Sequence, residues 1–106
     1  MGTLYYSTAP PVTVPERLLA HLRVVATVKL RRNERFTVSI APSDGDEGGT
    51  TMLWLGPDIP LRFEFDTDEA EPLDPVLLHE LALQANTARG IVLRIDPAPV
   101  AELVGA

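Results

Sequence analysis

The sequence predicts an α+β domain in which a mainly antiparallel sheet of about five to six strands carries two helices on one face. Three observations support this prediction. Short segments alternate apolar and polar residues, as half-buried strands do. Two longer segments repeat apolar residues at helical spacing. These segments follow one another in the order ββαβββαβ, and 106 residues suffice for one domain. We expect the domain over residues 1–96 and a Pro-broken C-terminal tail of uncertain order over 97–106.

The first two strands form a predicted hairpin. Residues 3–6, "TLYY", read as a strand, and residues 12–14, "VTV", are placed to pair with it across the intervening turn. Two successive prolines in that turn suit the edge of a sheet. Thr13 and Glu16 have the spacing of a capping box, and Pro15 is placed in the first turn of the helix that follows.

The first helix is predicted to run to about Arg32, with apolar residues around most of its circumference. The less apolar remainder is one narrow stripe, consisting of Glu16, Ala20, Arg23, Thr27 and Arg31. A stripe this thin means that the helix is covered on more than one side. Either it lies between the sheet and the second helix, or it forms part of a homomeric interface.

Three strands are predicted next. "FTVSI" (36–40), "TMLWL" (51–55) and "LRFEFD" (61–66) are separated by a loop that contains Asp44, Asp46 and Glu47 and by the turn "GPDIP". The first and third alternate apolar with polar residues, which predicts one buried face, one wet face and antiparallel pairing.

The second helix is predicted from an N-cap at Asp74, followed by Pro75 at the first helical position, to about Thr87. Its predicted inner face consists of Leu77, Leu78, Leu81 and Ala85. Gly90 suits a left-handed helix terminus, and "IVLRI" (91–95) is the last strand.

Composition excludes several classes of function. The chain has no cysteine, which excludes disulfides, thiolate metal sites and cysteine nucleophiles. No stretch approaches the roughly 20 apolar residues that cross a bilayer, and no basic segment precedes an apolar run at the N-terminus. We therefore expect a cytoplasmic protein without a membrane partner. The net charge of −6 is unfavourable for general binding to nucleic acid.

The cations are concentrated in the first third of the chain. Lys29, Arg31 and Arg32 are predicted in the last turn of the first helix, and we call them, together with Arg23 and Arg35, the basic cluster. Cations there oppose the negative end of the helix macrodipole, and this structural interpretation is favoured. The alternative is a surface for an anion or a nucleic acid, which prefers nearby aromatic rings for stacking.

No catalytic, cofactor or metal residue is predicted. The acidic segments contain only fragments of a calcium loop, and no serine lies in a nucleophile elbow. His21 and His79 are single imidazoles on different helices, and each is interpreted as a boundary residue. Trp54 and His79 are candidates for the border of a pocket, although core packing is the more common role of a tryptophan in a strand of a small domain.

Four segments together resemble a family of short uncharacterised bacterial proteins: "MGTLYY", "LLAHLRVVATVKLRRNERFTVS", "WLGPDIPLRFEF" and "LALQANTARGIVL". Some of its members are labelled ATP-dependent DNA ligase, so the resemblance implies an association with nucleic acid. Such ligases transfer a nucleotide through the lysine of a Lys-x-Asp-Gly motif. Lys29 is the single lysine here and is followed by Leu30 and two arginines. The motif is missing, and no ligase residue carries over.

These observations predict a non-catalytic interaction or regulatory domain that self-associates as a homo-oligomer and needs no cofactor. The alternative is a nucleic-acid-associated accessory protein that binds through the basic cluster.

Overall fold

A computed structural model describes residues 2–42, 50–68 and 71–95. The acidic loop with Asp44 and the predicted tail lie outside these ranges. The elements within them are β1 (Gly2–Tyr6), β2 (Val12–Val14), α1 (Glu16–Arg31), β3 (Phe36–Pro42), β4 (Thr51–Leu55), β5 (Leu61–Glu64), α2 (Pro75–Ala85) and β6 (Ile91–Ile95). The predicted order ββαβββαβ is confirmed.

The strands form two sheets of three strands each, and the prediction of one larger sheet was wrong. The first sheet has the order β2-β1-β5 and is antiparallel throughout. The second has the order β4-β3-β6, with β3 antiparallel to β4 and parallel to β6. Among the described strands, three pairings are therefore antiparallel and one is parallel.

The chain passes from one sheet to the other in the connection between β4 and β5. This connection contains Pro57 and Pro60, whose rings fix the backbone and remove hydrogen-bond donors. β5 does not fold back onto β4; instead it pairs with β1, and the Pro60 carbonyl accepts a hydrogen bond from the Ser7 N–H at 2.8 Å. A proline-bounded turn thus passes the chain from one sheet to the other.

Gly90 has a positive φ of 78°, so the predicted left-handed conformation is present. The residue lies four positions beyond the C-cap of α2, directly before β6. Here the absence of a side chain matters for packing. A Cβ at Gly90 would lie 1.9 Å from Thr37 Oγ1 and 2.5 Å from the Thr37 carbonyl oxygen. Glycine therefore allows the chain to approach β3 closely as β6 begins.

One apolar core joins both sheets and both helices. α1 packs against β1 and α2, and α2 also packs against β6 and β3. Leu19, Leu22, Val25 and Ala26 of α1 enter this core together with Leu81 and Ala85 of α2. Much of the apolar surface of α1 is thus covered by a sheet and the second helix of the same chain, as the first of the two alternatives for α1 predicts.

The start of α1 differs from the prediction. Pro15 is the N-cap rather than a first-turn residue, and no side chain caps the helix there. Thr13 lies in β2, so the predicted capping box does not form. The Glu16 side chain instead accepts a hydrogen bond from the backbone N–H of Asp66. The first turn of α1 thereby holds the chain just after β5.

His21 is completely buried, and its interpretation as a boundary residue was wrong. Its Nδ1 lies 2.6 Å from the Arg17 carbonyl oxygen, and its Nε2 lies 2.8 Å from the backbone N of Asp74. A carbonyl can only accept and an amide N–H can only donate. The network therefore assigns the neutral tautomer in which Nδ1 carries the proton and Nε2 accepts.

Asp74 connects this histidine to the start of α2. Its Oδ1 accepts a hydrogen bond from the Val76 N–H at 2.9 Å, which confirms the predicted N-cap, and its Oδ2 pairs with Arg17 at 2.8 Å. Asp74 thus accepts a hydrogen bond from a backbone N–H that has no partner within α2, and it connects that helix to Arg17 and His21 of α1. We call Arg17, His21 and Asp74 the helix junction.

Asp74→Ala is expected to lower the free energy of unfolding by about 1–2 kcal/mol, because it removes a cap and a partly exposed ion pair. Asp74→Asn retains an oxygen that can cap, so we expect less than about 1 kcal/mol. Urea unfolding followed by circular dichroism measures both. Asp58→Ala is the control, because it removes an ion pair whose aspartate side chain is 83% exposed. Equal losses in the three variants would contradict this role of Asp74.

Candidate functional site

The residues of the basic cluster occupy different environments. Lys29 is the most enclosed, with a side chain that is 13% exposed. Its Nζ lies 3.2 Å from Oε1 of Glu34 and also donates a hydrogen bond to Oδ1 of Asn86, the C-cap of α2. Lys29 therefore ties the end of α1 to the end of α2.

Two further cations of the cluster face acids. Nε of Arg32 lies 3.9 Å from Oε2 of Glu34, and Nη2 of Arg35 lies 3.3 Å from Oδ2 of Asp58. These pairs are largely exposed, so each contributes little to stability. Arg23 and Arg31 are exposed and have no acidic partner within the described part of the chain.

The structure does not bring the five cations into one unopposed patch. Glu34 and Asp58 compensate three of them locally, and Arg23 lies more than one turn from Lys29 along α1. Lys29 and Arg31 remain in the last turn of the helix, where they oppose its dipole. Binding of nucleic acid by this cluster stays a prediction.

Trp54 and His79, the second sequence-predicted pair, lie on different surfaces. Trp54 lies on β4 between Leu53 and Leu55, whose side chains face the core. Because successive side chains of a strand point to opposite faces, the Trp54 side chain points away from the core. His79 is an exposed residue of α2, the helix that packs on the core side through Leu81. The structure therefore does not bring these two side chains together.

Instead, Trp54 lies beside Met52 on the outer face of β4. Their exposed fractions are 53% and 64%. The register places Trp54 opposite Thr37 and Met52 opposite Ser39, so two large apolar side chains share the polar face of this sheet. We call these four residues the Trp54 surface.

The edge of the sheet next to this surface is partly closed by the chain itself. β4 is an edge strand, and the Tyr6 hydroxyl donates a hydrogen bond to the Trp54 carbonyl oxygen at 2.8 Å. Tyr6 ends β1 of the other sheet, so this bond also fixes the two sheets to each other. A main-chain acceptor on an edge strand is thereby occupied.

Met52 is not among the candidate site residues predicted from the sequence, and the predicted role of Trp54 was core packing. The segment "TMLWL" is apolar at four of its five positions, so alternation alone does not tell which residues face inward. The missing signal is the register with β3: only this pairing places the tryptophan opposite Thr37 on the wet face.

The described residues form neither a metal-binding cluster nor a membrane-spanning helix. They contain no group of three or more histidine, cysteine or acidic side chains arranged to hold a metal ion. No helix in the same part of the chain has the length and apolar character to cross a membrane.

Comparison with known proteins gives a family but no activity. A family model described as a domain of unknown function, DUF7882, matches residues 1–96. Neither the curated proteins nor the solved structures contain a match. The family description names no reaction, so the ligase label of the proteins that this chain resembles stays untested.

Lys29→Met is expected to lower the free energy of unfolding by about 1 kcal/mol, because it removes an enclosed charge-assisted hydrogen bond between the helices. Arg31→Met, two residues further along and exposed, is the matched control and should cost less than about 0.5 kcal/mol. Chemical unfolding of both variants compares them. A larger loss for Arg31→Met would show that the basic cluster does not stabilise the fold in this way.

Proposed function

The chain belongs to the DUF7882 family, and we propose that it is a non-catalytic interaction domain that self-associates through the Trp54 surface. The observation that carries this proposal is the exposure of Met52 and Trp54 side by side, opposite the polar residues Thr37 and Ser39. Tryptophan and methionine are enriched in protein interfaces, and tryptophan dominates binding energy where it is buried.

The charge distribution favours a second copy of this chain as the partner. The chain has a net charge of −6, so two copies repel over most of their surfaces. Residues 50–56, "TTMLWLG", carry no charge, and neither do Thr37 and Ser39 opposite them. Arg94, on the far strand of the same sheet, adds positive rather than negative charge to this face. These described residues therefore add no negative charge where the apolar side chains lie.

The proposed contact is between faces rather than between strand edges. Pairing of β4 with β4 of another copy would need the main-chain groups of this edge, and the Trp54 carbonyl is already bonded to Tyr6. Face-to-face packing leaves that bond intact. It also suits a twofold arrangement, in which the same patch on each copy contacts its counterpart.

The support for self-association thus shifts from α1 to β4. The nearly all-round apolar character of α1 is largely explained within one chain, where β1 and α2 pack against it. Among the described residues of α1, Val28 is the only large apolar residue whose exposed fraction is near one half. The outer face of β4 has two such residues in adjacent outward positions.

Self-association is expected to bury Trp54, and the chain contains a single tryptophan, so its fluorescence reports on this surface directly. The emission maximum should move to shorter wavelength as protein concentration rises, in step with an increase in mass by light scattering. In Met52→Thr, both changes should occur at protein concentrations at least about tenfold higher, which corresponds to a loss of roughly 1.4 kcal/mol in association free energy.

Leu83→Gln is the control, because Leu83 is similarly exposed, at 55%, but lies on α2. It should associate as the unchanged chain does. A monomer at all concentrations would contradict the proposal, and so would a dimer whose tryptophan emission stays that of an exposed ring.

A further inference from the structure

A cleft of about 360 Å³ opens between the first two turns of α1 and the connection from β5 to α2. The described residues of this connection are 65–68 and 71–74. Glu16, Ala20 and Arg23 line the helix side at helical spacing, so they face the cleft from one stripe of α1. The volume lies within the range of small-molecule sites in proteins.

The connection is held to α1 at both ends. At its start, the Asp66 N–H donates to the Glu16 carboxylate. At its end, the Asp74 N–H donates to His21, and the Asp74 carboxylate pairs with Arg17. Attachment at two points separated by more than one helical turn leaves a fixed opening between them.

The lining combines an apolar floor with charges of both signs. Ala20, Phe65 and Leu73 provide the apolar part. Arg23 provides a guanidinium that has no acidic partner within the described part of the chain. The Glu16 carboxylate already accepts a hydrogen bond from the Asp66 N–H. The carboxylates of Asp68 and Glu71, which also line the cleft, have no hydrogen bond or ion pair within the described part of the chain. An unpaired cation and unpaired anions therefore border one apolar floor.

We propose that this cleft binds a small zwitterion with an apolar body, of the chemical class of an aliphatic amino acid. Arg23 would hold the ligand carboxylate, for which guanidinium geometry is well suited. Asp68 and Glu71 would hold the ammonium group, and the side chain would lie against Phe65 and Leu73. Leu73 is 49% exposed without a ligand, so binding would also remove apolar surface from water.

Neither a simple anion nor a simple cation matches the lining as well. A carboxylate without an ammonium group would meet Arg23 but would approach the carboxylates of Asp68 and Glu71. An amine without a carboxylate would satisfy these acids and leave Arg23 unpaired beside a like charge. Both charges of a zwitterion have a counterpart in the cleft.

The test uses the full chain and three probes with the same side chain: leucine, leucinamide and N-acetylleucine. They carry respectively both charges, the ammonium group alone and the carboxylate alone. Titrations followed by ¹H–¹⁵N correlation spectra should show saturable shifts for leucine, centred on Ala20, Arg23 and Leu73. Leucinamide and N-acetylleucine should each bind at least tenfold more weakly. Equal binding of either would overturn the zwitterion assignment, and no saturable shift with leucine would overturn the site.

Arg23→Gln should weaken leucine binding about tenfold and abolish the preference for leucine over leucinamide. Arg31→Gln is the matched control, because Arg31 shares the exposed stripe of α1 but does not line the cleft. It should bind leucine as the unchanged chain does. Unaltered binding in Arg23→Gln would overturn the proposal. Because the cleft and the Trp54 surface involve different residues, either proposal can fail without the other.

Discussion

The fold depends most on the burial of a single polar ring between two helices. His21 has no exposed surface, so each of its nitrogens needs a protein partner. The Arg17 carbonyl and the Asp74 amide supply these partners. Because the second partner is the residue that caps α2, the position of that helix is determined by a hydrogen bond as well as by apolar contact. Apolar packing alone tolerates small sliding movements, whereas this bond specifies one register of α2 on α1.

The same bond organises the surface around it. It fixes the end of the connection between β5 and α2, while Glu16 fixes the start, and the cleft is the space that remains. On β4, Leu53 and Leu55 face the core, so Trp54 and Met52 point outward. The two proposed binding surfaces are thus consequences of how one core is filled by two helices and two sheets.

Much of the fold could be predicted from local sequence, and most of the functional surface could not. The element order, the hairpin of β1 and β2 and the Asp74 cap follow from periodicity and capping chemistry, and all are present. The division into two sheets depends on which distant strand β5 meets, which no local pattern encodes. The burial of His21 and the exposure of Trp54 have the same cause: each depends on a partner far along the chain. The cleft joins residues about fifty positions apart, so only the folded chain brings them together.

The most direct test of this account is the protonation of the His21 ring in the folded protein. A long-range ¹H–¹⁵N correlation spectrum at neutral pH, assigned with His21→Gln, distinguishes the two ring nitrogens. We expect a single neutral tautomer with the proton on Nδ1, and a coupling across the hydrogen bond from the Asp74 amide to Nε2. A ring with its proton on Nε2, or one that averages between tautomers, would contradict it, since the Asp74 amide would then have no acceptor there.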